Sequence, residues 1–200
     1  DDVEVSVLFL DIRDFTAFAE RASAREVVTT LNRFWELVVP AVSDCGGHAN
    51  KFIGDGLLAV FGAPERHADH ADRAVRAGID IVRRVRAEYA GELRVGVGVN
   101  SGPVMAGTIG GGGRLEFTVI GDTVNTAARV ERVTRTIGHD MLVTQATCAL
   151  LDADHGGFEE CDRVELKGKT EEVRLYAPVA LGAADYSTTP AATTPAATSE

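Results

Sequence analysis

The sequence predicts an α+β fold: a mostly antiparallel, ferredoxin-like sheet carrying helices. Three observations point there. Apolar residues up to Ile53 and again from Leu57 to Phe61 flank Gly54-Asp55-Gly56, the pattern of a tight hairpin with a carboxylate at its tip. Val5 to Leu10 and Leu93 to Val99 read as buried strands. Long segments with apolar residues at three- and four-residue spacing separate these strands, which is the helical period.

Taken in order, Val3 to Leu10 forms a first strand that ends at Asp11, and Asp14 to Phe18 supplies cap and apolar residues for a short helix across its end. Ser23 with Glu26 is a capping box. The helix it opens carries Val27, Val28, Leu31, Phe34, Trp35, Val38 and Val39 on one face, so Trp35 is expected in core or dimer packing. The hairpin follows, then a polar loop. A second long helix buries Ala71, Ala74, Val75, Gly78, Ile79, Val82 and Val85, with its arginines from Arg73 to Arg86 read as a solvated face. His67 and His70 at its start lack a third ligand nearby in sequence, so surface polarity or capping is expected of them rather than a metal site.

From Leu93 to Val99 the valines share one face of a strand, while Arg94, Gly96 and Gly98 share the other, so something packs close to that backbone. Ser101 to Gly107 reads as a turn with one or two helical turns, and Gly110 to Gly113 as a flexible connection to a strand from Leu115 to Ile120. Gly121-Asp122 opens a helix on which Asn125 and Arg129, four apart, share the polar face. A short strand (Met141 to Thr144), a short helix (Gln145 to Leu151) and two strands (Phe158 to Leu166, Val173 to Tyr176) complete the domain, with Lys167-Gly168-Lys169 in the last turn. These lysines are either solvent-facing or able to close over a triphosphate. The domain is assigned to residues 1–181 and an Ala/Thr/Pro tail, expected to be disordered, to residues 182–200.

Composition narrows the function. A formal net charge of -10 repels a phosphate backbone, so no nucleic-acid partner is expected. Cys45, Cys148 and Cys161 have no paired motif and read as thiols in a reducing compartment. No apolar run is long enough to span a bilayer. Because the chain starts almost inside its first strand, it reads as a cytoplasmic domain cut from a longer protein whose upstream part is regulatory or membrane-anchored.

Asp11 and Asp55 carry the chemistry. If their strands lie side by side, two carboxylates meet at one sheet edge and repel unless a hard cation sits between them. Both are expected to be exposed, at loop ends. An ordinary Asp-Gly turn accounts for the hairpin taken alone, and a surface polar pair accounts for Asn125 and Arg129 taken alone.

Together, FLDIRDFT, KFIGDG, RVGVGVNSG and EFTVIGDTVNTAARVE, in this order, resemble the class III nucleotidyl cyclase catalytic domain, the family of adenylate and guanylate cyclases, over about Val3 to Leu181. The resemblance implies two divalent cations per active site, Mg2+ or Mn2+, held by Asp11, Asp55 and the Ile12 carbonyl. It implies that Asn125 orients the ribose and Arg129 meets charge on the α-phosphate, while Arg94 and Lys167 contact the outer phosphates, with Lys169 as the alternative to Lys167. Lys51 and Thr118 stand where the family reads the base. Glu and Cys, usual there in guanylate cyclases, are absent, so ATP is the expected substrate, with Thr in place of the more frequent Asp weakening discrimination. Arg13-Asp14 replaces the Val-Gly of many animal relatives beside the metal loop, where both side chains are expected to affect ion preference.

The family's sites take metals from one subunit and the Asn and Arg from the other, which implies a homodimer with shared active sites. The implied activity is adenylate cyclase: ATP to 3',5'-cyclic AMP and pyrophosphate. The alternatives are a non-catalytic ATP-binding dimerisation module and, less well matched because of Lys51, a guanylate cyclase.

Overall fold

The computed structural model of the chain describes residues 1–111, 113–165 and 172–182. Its centre is one sheet of eight strands in the order β2-β3-β1-β4-β6-β8-β7, with β5 pairing β4. β1 (Asp2–Ile12) lies between β3 (Gly56–Phe61) and β4 (Val95–Gly111), antiparallel to both. β2 (His48–Ile53) is joined to β3 by the expected hairpin, and β5 (Arg114–Ile120) pairs the outer half of β4. β6 (Met141–Thr144) runs parallel to β4, while β7 (Phe158–Glu165) and β8 (Glu172–Pro178) form the far edge. Every pairing but that of β4 with β6 is antiparallel, as expected of an α+β chain.

The side-chain period of two along β1 divides the core. Leu8, Leu10 and Ile12 face α2 (Ala24–Asp44) and α3 (His70–Tyr89), packing with Phe34, Val38, Val75 and Val82. Val3, Val5 and Val7 face the other way, onto Val104, Val119 and Ala127, so β5 and α4 (Asp122–Ile137) cover the second face. A smaller cluster ties Val130 of α4 to Leu142, Leu175 and Ala177. Two long helices therefore lie on one face and one on the other. α4 packs where the strand lacks side chains: a Cβ on Gly98 would stand 2.6 Å from the Ala127 carbonyl oxygen and 2.8 Å from the Glu131 Cα. The glycine face of the Leu93–Val99 segment is thus a helix seat, one of the two occupants expected for it.

α2 starts as the capping box requires. The Glu26 N–H donates to Ser23 Oγ at 3.3 Å, and the Ser23 N–H donates to Glu26 Oε2 at 2.8 Å. α1 (Phe15–Ala19) forms after Asp14, which holds a left-handed φ of 55° and makes no side-chain cap bond. On α2, Trp35 is partly buried and packs on Phe34 and Phe52 at ring-centroid distances of 4.9 and 4.7 Å, whereas Val28 is exposed.

One expected element is replaced. Ser101 to Gly107 is not helical but continues β4, because both of its edges are paired: Met105 stands opposite Asp2 of β1 and Ile120 of β5. A stretch holding Gly102, Pro103 and Gly107 has weak helix propensity, and two strand partners supply the backbone bonds that a helix would otherwise provide. His70 also departs from its expected place on the surface. It is buried, its Nδ1 is 2.9 Å from Ser6 Oγ, and Ser6 continues through Ser101 to Thr147 in a chain of hydroxyls. Among the described residues, no helix is long and apolar enough to cross a membrane. Residues 183–200 of the expected tail, Lys167 and Lys169 lie outside the described residues.

Candidate active site

The β1–β3 register sets Asp11 opposite Gly56, so the hairpin-tip Asp55 stands beside it. Gly56 is required for that approach: a Cβ there would lie 2.8 Å from the Leu10 carbonyl oxygen and 3.4 Å from Asp11 Oδ1. Gly54 makes the turn with φ of 63°. The two aspartates are half-buried, not exposed as the sequence suggested. Burial, then the neighbouring Asp55 charge, push the Asp11 carboxyl up to about 6. Arg135 opposes this, and the Ile12 N–H donates to the Asp11 carboxylate. Glu131, buried on α4, adds a third acid, pushed up to about 7 by burial first and the charge of Asp11 second.

This donor set fits a hard divalent cation. It offers carboxylate oxygens that repel one another when empty, beside the backbone of Ile12. Among the described residues no cluster of three or more His, Cys, Asp or Glu forms a complete cage. A cation bound by Asp11 and Asp55 would therefore take further oxygens from backbone, water or substrate.

The second group is drawn from strands that are not hydrogen-bonded neighbours. Lys51 of β2 donates from Nζ to Thr118 Oγ1 of β5 at 3.0 Å, with Glu116 Oε1 at 4.0 Å from the same nitrogen. Asn50 donates to the Phe117 carbonyl at 2.8 Å and His48 packs edge-on to Phe117, which holds the curled β5 over β2. The pair anticipated at base-reading positions is thus in contact within one chain.

On α4, Asn125 is exposed and Arg129 half-buried. Among the described residues Arg129 Nη1 is buried without a hydrogen-bond partner, its ion pair with Asp122 Oδ1 being long at 4.0 Å. An orphaned guanidinium nitrogen favours an incoming anion. The helix itself is fixed at its start by the Thr123 hydroxyl, which donates to the Pro103 carbonyl at 2.7 Å. Asn125 lies six residues before Glu131, the α4 carboxyl whose charge couples to Asp11, which is about 9 Å along the axis at about 1.5 Å per residue; Arg129 lies two residues before it.

Arg94 is held at Asp140, donating from Nη2 to Oδ1 at 3.2 Å. Arg13 is buried, donating to the Val95 carbonyl, Thr134 Oγ1 and the His139 carbonyl, and its charge acts on Glu131. Sequence reasoning missed Glu131, Asp140 and Glu116. Glu131 lay inside a recognised block two residues past Arg129, but only the packing of α4 on Gly96 shows its burial. Asp140 carried no signal in the sequence.

A mostly antiparallel sheet, a carboxylate pair at the ends of two central strands and a cationic helix face agree with the nucleotide-cyclase resemblance of the sequence. Comparison with known proteins agrees. The family profile described as the adenylate and guanylate cyclase catalytic domain matches residues 2–177, and the chain belongs to that family. An uncharacterised protein of Mycobacterium tuberculosis is 37% identical over 186 residues, covering 90% of this chain and 32% of that protein. The chain thus spans about a third of the length of such relatives. The guanylate cyclase domain of RhGC from Catenaria anguillulae, solved in complex with GTP, superposes with TM-score 0.78 at 33% identity, covering 88% of this chain and 96% of that one. The adenylyl cyclase CyaB from P. aeruginosa superposes with TM-score 0.79 at 26% identity, covering 88% and 93%.

Proposed function

We propose that this chain is an adenylate cyclase that converts ATP to 3',5'-cyclic AMP and pyrophosphate at sites shared by two copies. The observation that carries the base choice is the Lys51–Thr118 contact at 3.0 Å. Lys donates to the ring nitrogen of adenine's pairing edge, and the Thr oxygen accepts from the exocyclic amine. The reaction joins the ribose 3'-oxygen to the α-phosphorus and breaks its bond to the pyrophosphate oxygen; the 3'-hydroxyl proton leaves to solvent. Mg2+ or Mn2+ at Asp11, Asp55 and the Ile12 carbonyl would favour the 3'-alkoxide and neutralise the triphosphate.

The chain's own residues do the rest. Asn125 orients the ribose, Arg129 offers its unpartnered Nη1 to the charge that develops at the α-phosphate, and Arg94 and Lys167 take the outer phosphates. The homodimer is supported by apolar side chains that stand exposed on the β4–β5 arm (Met105, Ile109, Leu115, Ile120) and beside the hairpin (Phe52, Ile53).

GTP is the second reading, because Glu116 beside Lys51 gives a carboxylate that suits the N–H donors of guanine. The test is turnover of ATP and of GTP with Mn2+ across a protein concentration series. Activity per subunit that rises with concentration and favours ATP is expected. Preference for GTP reverses the base assignment. Nucleotide binding with no cyclic product at any concentration makes the chain a non-catalytic binding module.

A further inference from the structure

Asp140 sits in the short connection between α4 and β6, almost fully buried, and three guanidiniums converge on its single carboxylate. Arg86 of α3 donates to Oδ2 from Nε at 3.1 Å and from Nη2 at 2.8 Å. Arg94 donates to Oδ1 at 3.2 Å, and Arg13 Nη2 stands 3.7 Å from the same oxygen. The backbone is tied down as well. The Val97 N–H donates to the Asp140 carbonyl at 2.8 Å, and the Arg13 N–H donates to the Arg94 carbonyl at 2.9 Å. One acid thus connects α3, the start of β4 and the residue two places after Asp11.

Arg13 is sealed, with a side chain only 5% exposed, whereas that of Arg94 is 24% exposed at the head of β4.

We propose that Asp140 is a positioning residue for the substrate's outer phosphates: it fixes the fork of Arg94 at the head of β4 so that the guanidinium meets a triphosphate without first being ordered. This rests on the reading that Arg94 binds those phosphates. A planar fork held in place loses less freedom on meeting an anion than a loose one.

The test measures binding without turnover. 3'-Deoxy-ATP lacks the attacking hydroxyl, and AMP lacks the outer phosphates. Calorimetry with Mg2+ compares the 200-residue chain with Arg94→Ala, Asp140→Asn and the double variant. Arg94→Ala is expected to weaken 3'-deoxy-ATP tenfold or more, and Asp140→Asn about fivefold, each leaving AMP within about twofold. In the Arg94→Ala background, Asp140→Asn should add less than about twofold.

The proposal is overturned if Asp140→Asn leaves triphosphate binding unchanged, weakens both ligands equally, or acts with the same factor when Arg94 is absent. If Arg94→Ala alone has no effect, the phosphate assignment of Arg94 fails first, which is a distinct result. Should Asp140→Asn not fold, Arg86→Gln loosens Asp140 from its other side. It is expected to weaken 3'-deoxy-ATP two- to threefold, only when Arg94 is present, and no weakening overturns the proposal.

Discussion

The hairpin end of the sheet and the polar face of α4 carry opposite electrical imbalances. At the hairpin, Asp11 and Asp55 crowd together until Asp11 resists ionisation; on α4, among the described residues, Arg129 Nη1 is buried with no hydrogen-bond acceptor and only a long ion pair to Asp122. Each region holds the charge that the other lacks, and Glu131, two residues after Arg129, carries α4 up to Asp11. The difference separates an anionic half from a cationic half on one scaffold, which is the division that the proposed sharing of sites between two copies requires.

Disabling each half in turn has the largest expected effect. Asp55→Asn is expected to lower turnover by about a thousandfold or more, and Arg129→Ala by a hundred- to a thousandfold, with Arg129→Lys recovering little because a point charge does not replace the fork. Circular dichroism should show both variants folded. Mixing the two inactive proteins then asks whether the halves come from different copies. Random pairing makes half the dimers mixed, each with one intact site, so about a quarter of wild-type activity should return. No recovery after the chains are allowed to exchange would place both halves in one copy.

A smaller effect is expected at Lys51 and Thr118. Exchanging Lys51→Glu with Thr118→Cys should shift the ratio of kcat/KM for ATP over GTP by about ten- to a hundredfold toward GTP. Glu116 stays in place in this variant, so an unchanged ratio would mean that it, rather than the exchanged pair, sets the base choice.

Below these comes the helix seat itself. Gly98→Ala places a methyl against the α4 backbone, which cannot yield as a side-chain tip would. A loss of about 2 kcal/mol is expected, read as a fall of several degrees in Tm together with reduced turnover, since α4 carries Asn125 and Arg129.

How much of this was legible in the sequence depended on whether the cause was local. The GDG hairpin, the Ser23–Glu26 box and the face of α3 are local, and their residues name them. The outer half of β4 is not: Gly102, Pro103 and Gly107 fit a turn until β1 and β5 pair with both edges of the segment. The candidate site divides in the same way. Asp11 and Asp55 could be paired from strand ends and Lys51 with Thr118 from a family resemblance, but the approach of Glu131 and Arg135 of α4 to Asp11 depends on tertiary packing. Asp140 could not be found at all, because its three arginines lie 46, 54 and 127 positions away and no periodicity links them.

The smallest expected effect concerns the acid pair without its cation. Asp11 has a folded-state pKa of about 6 against 3.8 for the free side chain, so the folded state holds its proton more tightly than the unfolded one. The stability this contributes is fully present below pH 3.8 and is lost as pH rises through about 6; Glu131, raised from 4.5 to about 7, acts in the same direction. In metal-free buffer, Asp11→Asn should therefore be the more stable protein at pH 7.5, and its advantage should shrink toward pH 4.5. Because Asp11 is only half-buried and solvent screens it, the difference is about 1 kcal/mol, or about 2–4 °C in Tm. Adding Mn2+ at pH 7.5 should raise the Tm of the wild type and not that of the variant. A wild type that already matches or exceeds Asp11→Asn in chelator would mean that the two carboxylates do not repel, and the imbalance on the hairpin side of the comparison would be removed.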